Sequence, residues 1–322
     1  MSGLPAPHPP SGPRVIHTSQ ALVDEVVEIP GLPARGQNAM ATTFTRYAAS
    51  AVNILLAAAR QGAQCVHAGA VGTGPNGDLI RAALVAEGVR ISAPPVPDQD
   101  TGICFVMVEP SAERTFVTTL GAERHPTVAS LATSDPRPGD LVCVSGYSLV
   151  GTTRDPLLTW LDTLPGGVEV VFDPGAIFAA LPAPLRDRML ARATVWTSNA
   201  EEATQLTGWT GMTDSAYAVA SRLRPDAVVI VRDGRHGCVV HEDEHTAYVP
   251  GYPQTPVDTN GAGDAHTGIL VAGRAAGLTW GAAARRANAG AALKVTRRGP
   301  NTAPTAAEID AFLVAQPPTD SR

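Results

Sequence analysis

The chain has little of several residue types, and each shortage excludes a class of protein. Its 322 residues include a single lysine, Lys294, which Val295 follows. A Walker-type phosphate loop needs a lysine followed by Ser or Thr, so the sequence excludes a nucleotide site of that type. Any phosphate bound by this chain must therefore be held by backbone amides, arginine or metal.

Long basic runs and long apolar runs are also lacking. The formal net charge is −6, and adjacent basic residues form nothing longer than pairs such as Arg297 and Arg298. This pattern lacks the electrostatic footprint of a nucleic-acid-binding protein and favours a small-molecule substrate. No apolar run reaches the length of about 18 residues typical of a membrane span, and the first residues lack an apolar signal core. We therefore expect a soluble, cytoplasmic protein.

Cysteines are few, and their positions indicate core residues. The four of them, Cys65, Cys104, Cys143 and Cys238, each lie inside a short apolar segment that is typical of a buried strand. No pair has the spacing of a metal site or a redox motif. We expect reduced core cysteines rather than a disulfide framework.

The remaining composition fits one large α/β domain. Residues 1–13 and 316–322 are predicted to be disordered tails, while between them, over residues 14–315, strand-like apolar runs alternate with helical patterns. This alternation predicts a doubly wound, mostly parallel sheet with helices on both faces. Residues 15–47 and 101–120 interrupt the alternation with short strands joined by turns. We expect these two segments to form a small β-sheet lid over the strand ends, where ligands bind in such folds.

The most informative run is DTNGAGDAHTG, from Asp258 to Gly268. The small residues Gly261, Ala262 and Gly263 leave room for backbone N–H groups to converge on a phosphate at a helix N-terminus. Asp264 follows in the first turn, where it can accept the proton of an attacking hydroxyl. We expect Asp264 to be ionised at neutral pH, because the helix dipole lowers its pKa. The alternative is a glycine-rich turn whose acid merely complements that dipole.

A second glycine motif offers a competing interpretation. Gly72, Gly74 and Gly77 match GxGxxG between a predicted strand and a predicted helix, the context of a dinucleotide-binding oxidoreductase. The next strand has no acid at its end to bind a ribose hydroxyl, and Pro75 removes one amide from the loop. We therefore disfavour the oxidoreductase hypothesis.

DTNGAGD followed by a helix of small residues resembles the second signature of the ribokinase-like (PfkB) family of sugar and nucleoside kinases. Four further segments are similar to family segments in the same order, over about residues 15–315: the lid TGICFVMVEPSAERTFVTTLGAE, the NxxE segment NAEEATQLTG, the nucleotide-binding turn IVRDGRHG and the closing ANAGAALKVTRRGPNTAPT. Two positions depart from the pattern. Ala48 and Ala49 replace a glycine pair before Asn53, and Gly74 stands where many members have an acid.

The resemblance implies a ribokinase-like fold and an ATP-dependent phosphotransferase that uses Mg²⁺ and phosphorylates a hydroxyl of a small sugar. It implies that Asn199 and Glu202 hold Mg²⁺ through water, although the same spacing also produces an N-cap with a capping box. Arg232 and Gly234 would meet the nucleotide phosphates and ribose, or form an ordinary surface turn. Asn288 would flank the adenine.

The resemblance also implies an acceptor site and a monovalent-cation site. Asp24 and Asn53 are the expected partners of the sugar hydroxyls. Asp258, the carbonyl of Asn260 and the loop over residues 295–299 would bind K⁺.

The residue that the lid contributes, the class of acceptor and the oligomeric state stay open. The lid contributes either Arg114 or Phe116 to the acceptor side. A nucleoside kinase shares the same chemistry and needs an aromatic slot for its base, which a content of 5% aromatic residues disfavours. A noncatalytic sugar or nucleotide sensor is the third hypothesis. If the outer face of the lid is apolar, two lids would pair in a homodimer.

Overall fold

The computed structural model describes residues 12–111 and 113–316. Most of the two predicted tails, residues 1–11 and 317–322, lies outside the described residues. Within the described ranges, no helix combines the length and the apolar character that a membrane crossing requires.

Strands and helices alternate along the described ranges, as the sequence predicts. The strands are β1 (Arg14–His17), β2 (Ala21–Glu28), β3 (Thr43–Ser50), β4 (Gln64–His67), β5 (Arg90–Ile91), β6 (Ile103–Val108), β7 (Arg114–Thr118), β8 (Leu141–Ser145), β9 (Glu169–Asp173), β10 (Val195–Asn199), β11 (Val228–Arg232), β12 (Gly237–Glu242) and β13 (His245–Pro250). The α-helices are α1 (Ala51–Ala59), α2 (Pro75–Ala86), α3 (Val128–Ala132), α4 (Arg154–Leu161), α5 (Ala183–Leu190), α6 (Ala200–Thr207), α7 (Met212–Ala220), α8 (Ala262–Ala275), α9 (Trp280–Val295) and α10 (Ala306–Ala315).

A large sheet of nine strands forms the centre of the molecule, in the order β13-β12-β11-β10-β9-β8-β1-β4-β5. Its strands are parallel except for β12 and β13, which continue the sheet in antiparallel pairs. Apolar strands such as VVIVR in β11 are buried on both faces because helices cover both sides of a parallel sheet. One core packs α1, α2, α8, α9 and α10 against the sheet, and a second core packs α3 to α7 on the other side. The predicted doubly wound fold is confirmed.

A separate small sheet, in the order β3-β2-β6-β7, confirms the predicted lid. The prediction was wrong about the first strand of that segment: β1 pairs with β4 and β8 in the large sheet. Val15 and Ile16 are completely buried, as a central strand requires, whereas lid strands such as β7 keep exposed side chains. The first lid segment therefore begins only at β2.

The GxGxxG motif serves close packing rather than nucleotide binding. A Cβ at Gly72 would lie 2.2 Å from the carbonyl oxygen of Gln99, and one at Gly77 would lie 2.1 Å from the carbonyl oxygen of Gly72. At the start of α2, the carboxylate of Asp100 accepts hydrogen bonds from the N–H groups of Asn76, at 3.0 Å, and Gly77, at 2.9 Å. Asp100 fills the position that a pyrophosphate would need.

Candidate active site

A cleft of about 1180 Å³ lies between the lid and the carboxyl ends of the large sheet's strands. Asp173 ends β9, Asn199 ends β10 and Arg232 ends β11, and all three line the cleft. From the lid, Asp24 and Phe116 line it on the opposite side. This is the location at which doubly wound sheets bind their ligands.

Helix α8 directs its N-terminus into the cleft. Gly261 precedes it with a φ of +75°, and a Cβ there would lie 2.8 Å from the carbonyl oxygen of Pro300, so that this position requires glycine. No side chain of the described residues caps the helix, which leaves the first-turn N–H groups of Gly263 and Asp264 directed outward. The N–H group of Ala262 donates instead to the carbonyl of Thr259 at 3.2 Å. The predicted anion hole therefore has two free first-turn amides, those of Gly263 and Asp264, and lacks the predicted amide of Ala262.

Asp264 lies at the floor of the cleft beside these amides. Its Oδ2 accepts a 2.8 Å hydrogen bond from Nδ2 of Asn53, which is 6% exposed. Burial raises the pKa of Asp264 to about 6, and the hydrogen bond from Asn53 and the charge of Arg232 oppose that rise. The expected lowering of this pKa was wrong, because burial outweighs the helix dipole. With a pKa near this value the carboxyl is still mostly ionised at neutral pH.

Arg232 connects three elements around the first turn of α8. Its Nη1 donates to the carbonyl of Gly263 at 2.9 Å and to Oγ1 of Thr267 at 3.2 Å. Its Nη2 donates to the carboxylate of Asp173 at 3.3 Å, and its Nε donates to the carbonyl of Ser198 at 3.2 Å. Such a set of bonds excludes a simple surface-turn role for Arg232, whereas Gly234 lies in an exposed turn. Asp173 escaped the sequence analysis, although an acid at the end of the strand VEVVFDP was a usable signal.

Asn199 and Glu202 form the capping box that their spacing allowed. Oδ1 of Asn199 accepts from the N–H of Glu202 at 2.7 Å, and Oε2 of Glu202 accepts from the N–H of Asn199 at 2.9 Å. Burial raises the pKa of Glu202 to about 7, and the carboxylate of Asp173 adds to the rise. In the described part of the chain, no three His, Cys, Asp or Glu side chains come close enough to hold a metal ion directly. The acidic pair of Asp173 and Glu202 fits a hydrated divalent cation that phosphate oxygens also bind.

The lid side of the cleft carries the predicted acceptor residues. Asp24 projects from β2 into the cleft, and burial together with the negative charge of Asp264 raises its pKa to about 7. Phe116 lines the same side. Arg114, the other predicted contribution of the lid, reaches instead to the carboxylate of Asp258 at 3.1 Å.

Several of the oxygens predicted to bind K⁺, those of Asp258 above all, already accept hydrogen bonds from the protein. Oδ1 of Asp258 accepts from the N–H of Asn260 at 2.9 Å as well as from Arg114, and Oδ2 accepts from the N–H of Gly299 at 2.9 Å. The carbonyl oxygen of Asp258 accepts from Nζ of Lys294 at 2.9 Å. A cation bound at Asp258 would have to compete with these donors.

The remaining predicted residues lie farther along the cleft. The side chain of Asn288 donates to the carbonyls of Val249 and Pro250, and its Oδ1 lies 3.0 Å from Nε2 of His266. Gly234 lies in the turn after β11 with a φ of +48°. His266, a buried residue of α8 that lines the cleft, escaped the sequence analysis because its partner Asn288 is distant in the sequence.

Comparison with known proteins agrees with this geometry. The profile of the pfkB family of carbohydrate kinases matches residues 20–307. A protein of Escherichia coli, named as an uncharacterized sugar kinase, is 30% identical over 298 residues, which are 92% of each chain. The ribokinase of Haemophilus influenzae is 26% identical over 303 residues, covering 90% of this chain and 95% of the relative.

Among solved structures, a fructokinase of Vibrio cholerae, crystallised with fructose, ADP and calcium, matches with a TM-score of 0.74 at 25% identity. The match covers 94% of this chain and 99% of the fructokinase. Since the family profile covers most of the chain, including the lid and the first turn of α8, the chain belongs to the PfkB family of carbohydrate kinases.

Proposed function

We propose that this kinase transfers the γ-phosphate of ATP to a hydroxyl of a small neutral sugar or sugar-like alcohol, with Mg²⁺ bound and Asp264 acting as the base. The observation that carries the proposal is the position of Asp264, which lies beside outward-directed amides at the start of α8 and faces the lid across the cleft.

In the proposed reaction, Asp264 accepts the proton of the acceptor hydroxyl while the hydroxyl oxygen forms a bond to the γ-phosphorus. The bond from that phosphorus to the bridging oxygen breaks, and its electron pair leaves with ADP. A base whose pKa is about 6 is ionised at neutral pH yet binds a proton more tightly than an ordinary aspartate. The hydrogen bond from Asn53 holds the carboxylate in place for the transfer.

The negative charge of the transferring phosphoryl group would be stabilised by the free amides of Gly263 and Asp264, two residues of the predicted loop and helix start over residues 261–264, and by the nearby guanidinium of Arg232. The free first-turn amides and the contact from Arg232 to the carbonyl of Gly263 support this role. Asn199, Glu202 and Asp173 would hold Mg²⁺ through water, and the ion would neutralise charge on the nucleotide phosphates. Gly234 and Asn288 would border the nucleotide along the same side of the cleft.

On the acceptor side, Asp24 and Asn53 would bind sugar hydroxyls. Asp24 and Asp264 are close enough for the negative charge of one to raise the pKa of the other, so that an anionic acceptor would meet repulsion there. This charge pattern supports a neutral acceptor. A nucleoside acceptor would be recognised by stacking of its base, and Phe116 is the aromatic side chain of the lid available for it.

The outer face of the lid supports a homodimer. Phe44, Phe105 and Val117 share that face in the register of the small sheet, and their exposed fractions are 60%, 41% and 54%. Pairing of two such faces would bury them.

The four cysteines are all buried and free, which supports the proposal that the enzyme works in the reducing cytoplasm.

A coupled assay of ADP release tests the function. The purified protein is screened with ATP and Mg²⁺ against pentoses, hexoses, polyols and nucleosides, with Asp264→Asn as the matched control. We expect a sugar or polyol to release ADP with the wild-type protein and the variant to be nearly inactive. Release with nucleosides alone would make the enzyme a nucleoside kinase. Failure with every acceptor, accompanied by tight sugar binding, would favour the sensor hypothesis.

A further inference from the structure

The only lysine of the chain lies directly behind the loop that forms the anion hole. Lys294 is in the last turn of α9, its side chain is completely buried, and its Nζ donates to the carbonyl oxygen of Asp258 at 2.9 Å. A buried ammonium group is costly unless its surroundings compensate for the lost hydration. The carboxylate of Asp258 and, at longer range, that of Asp264 supply the opposite charge.

The neighbouring oxygens of Val295 and Asp258 are already used by protein donors. The carbonyl of Val295 accepts from the N–H groups of Val257, at 2.7 Å, and Asp258, at 3.1 Å. The guanidinium of Arg114 binds the carboxylate of Asp258 and lies 3.3 Å from Oγ1 of Thr259. An added monovalent cation would have to displace these donors and would be repelled by two positive charges in a poorly hydrated site.

We propose that the Lys294 ammonium is a built-in replacement for a monovalent cation, so that this kinase needs no K⁺. The inference rests on the proposed function, since its effect is exerted on the phosphoryl-transfer loop. Lys294 is a positioning residue: its bond to the carbonyl of Asp258 fixes the start of the loop over residues 258–264. Its positive charge also favours the ionised form of Asp264. Both effects are independent of the salt composition of the solution.

The first test uses the wild-type protein. Its kcat, its KM for ATP and its affinity for ADP are measured in KCl, NaCl and tetramethylammonium chloride at one ionic strength of about 0.1 M, which keeps screening constant. We expect the three quantities to agree within about threefold among the salts. A larger stimulation by K⁺ would overturn the proposal.

A second test removes the ammonium group. Lys294→Ala leaves space for a small cation, and we expect its kcat to fall by about tenfold and to recover when K⁺ or methylammonium is added. Arg137→Ala, at a side chain that is 62% exposed and lies outside the cleft, is the matched control and should show neither effect. A folded Lys294→Ala protein with full activity in tetramethylammonium would contradict the proposal. If that variant does not fold, the wild-type salt comparison decides.

A third measurement does not depend on activity. Because the chain has one lysine, protein labelled with ¹³C at lysine Cε gives a single side-chain resonance in an NMR spectrum. We expect this resonance to stay in place as KCl replaces tetramethylammonium chloride. A saturable shift with K⁺ would show an ion entering the site and would contradict the proposal. Should no acceptor release ADP in any salt, the proposed function fails, while this spectrum still tests whether Lys294 occupies the cation position.

Discussion

The amide nitrogen of Asn53 lies 2.8 Å from Oδ2 of Asp264, although the two residues are 211 positions apart in the sequence. Close contact between α1 and α8 makes this bond possible, since a Cβ at Gly268 would lie 2.3 Å from the carbonyl oxygen of Ile54. A larger residue at Gly268 would separate the two helices. The positions of the proposed base and of its hydrogen-bond donor are thus fixed by backbone packing.

Asp264→Asn is expected to lower kcat by about 100-fold or more, because an amide cannot accept the hydroxyl proton. The affinity for ADP should change little, since the first-turn amides remain. Steady-state kinetics and calorimetric ADP titration check the two expectations. Wild-type turnover by the variant would remove Asp264 from the mechanism.

The pH dependence of kcat should show an acidic limb near pH 6. Burial raises the pKa of Asp264 to about 6, and the base is active only when ionised, so activity is lost as the pH falls through that value. Arg232 lowers the same pKa, and Arg232→Gln should therefore move the limb to higher pH. A limb that stays in place in this variant would argue against the charge effect.

Asp24→Asn should stabilise the free protein at pH 8 and weaken acceptor binding. The pKa of Asp24 is raised to about 7 in the folded state, so that ionisation opposes folding and stability falls as the pH rises from about 4 to about 7. The neutral amide avoids this loss. We expect a Tm higher by about 2–4 °C at pH 8, little difference at pH 4, and a KM for the acceptor raised about tenfold. An unchanged KM would remove Asp24 from the acceptor site.

Glu202→Gln should raise the Mg²⁺ concentration needed for half-maximal activity by about tenfold, because it removes one of the acids that face the predicted metal position. The capping bond from the N–H of Asn199 can be kept by the amide oxygen. Glu201→Gln, at the exposed neighbouring position, is the matched control and should leave the Mg²⁺ requirement unchanged. Equal effects of the two substitutions would contradict a metal role.

Gly263→Val should remove phosphoryl transfer without unfolding the protein, whereas Gly261→Ala should lower its stability. A Cβ at Gly263 would meet only the flexible end of Arg232, at 3.4 Å, so we expect a folded protein without phosphoryl transfer. A Cβ at Gly261 would meet the backbone of Pro300 at 2.8 Å and would need a positive φ, so we expect a lower Tm. Thermal unfolding and ADP release distinguish the two. Unfolding of Gly263→Val would favour a purely structural turn.

Patterns among neighbouring residues of the sequence were enough to predict the fold and part of the site. The run around Asp264 was interpretable because a glycine-containing turn and the helix after it are set by neighbouring residues. The first strand was misplaced because RVIH has the length and composition of a lid strand. Only its pairing with β4 and β8, far along the chain, puts it in the large sheet.

Long-range contacts account for what the sequence could not show. The bond from Arg232 to Asp173 spans 59 positions, and the bond from Lys294 to Asp258 spans 36. No spacing rule connects such pairs. The direction of the pKa shift of Asp264 likewise depends on how deeply the folded chain buries it, which the helix dipole alone does not reveal.

The complete burial of the single lysine has a practical consequence for handling this protein. Reagents that acylate primary amines, including activated esters on sensor chips and cross-linkers, should therefore find no accessible lysine side chain while the protein is folded. Acylation of Lys294 should instead report that the protein around it has unfolded.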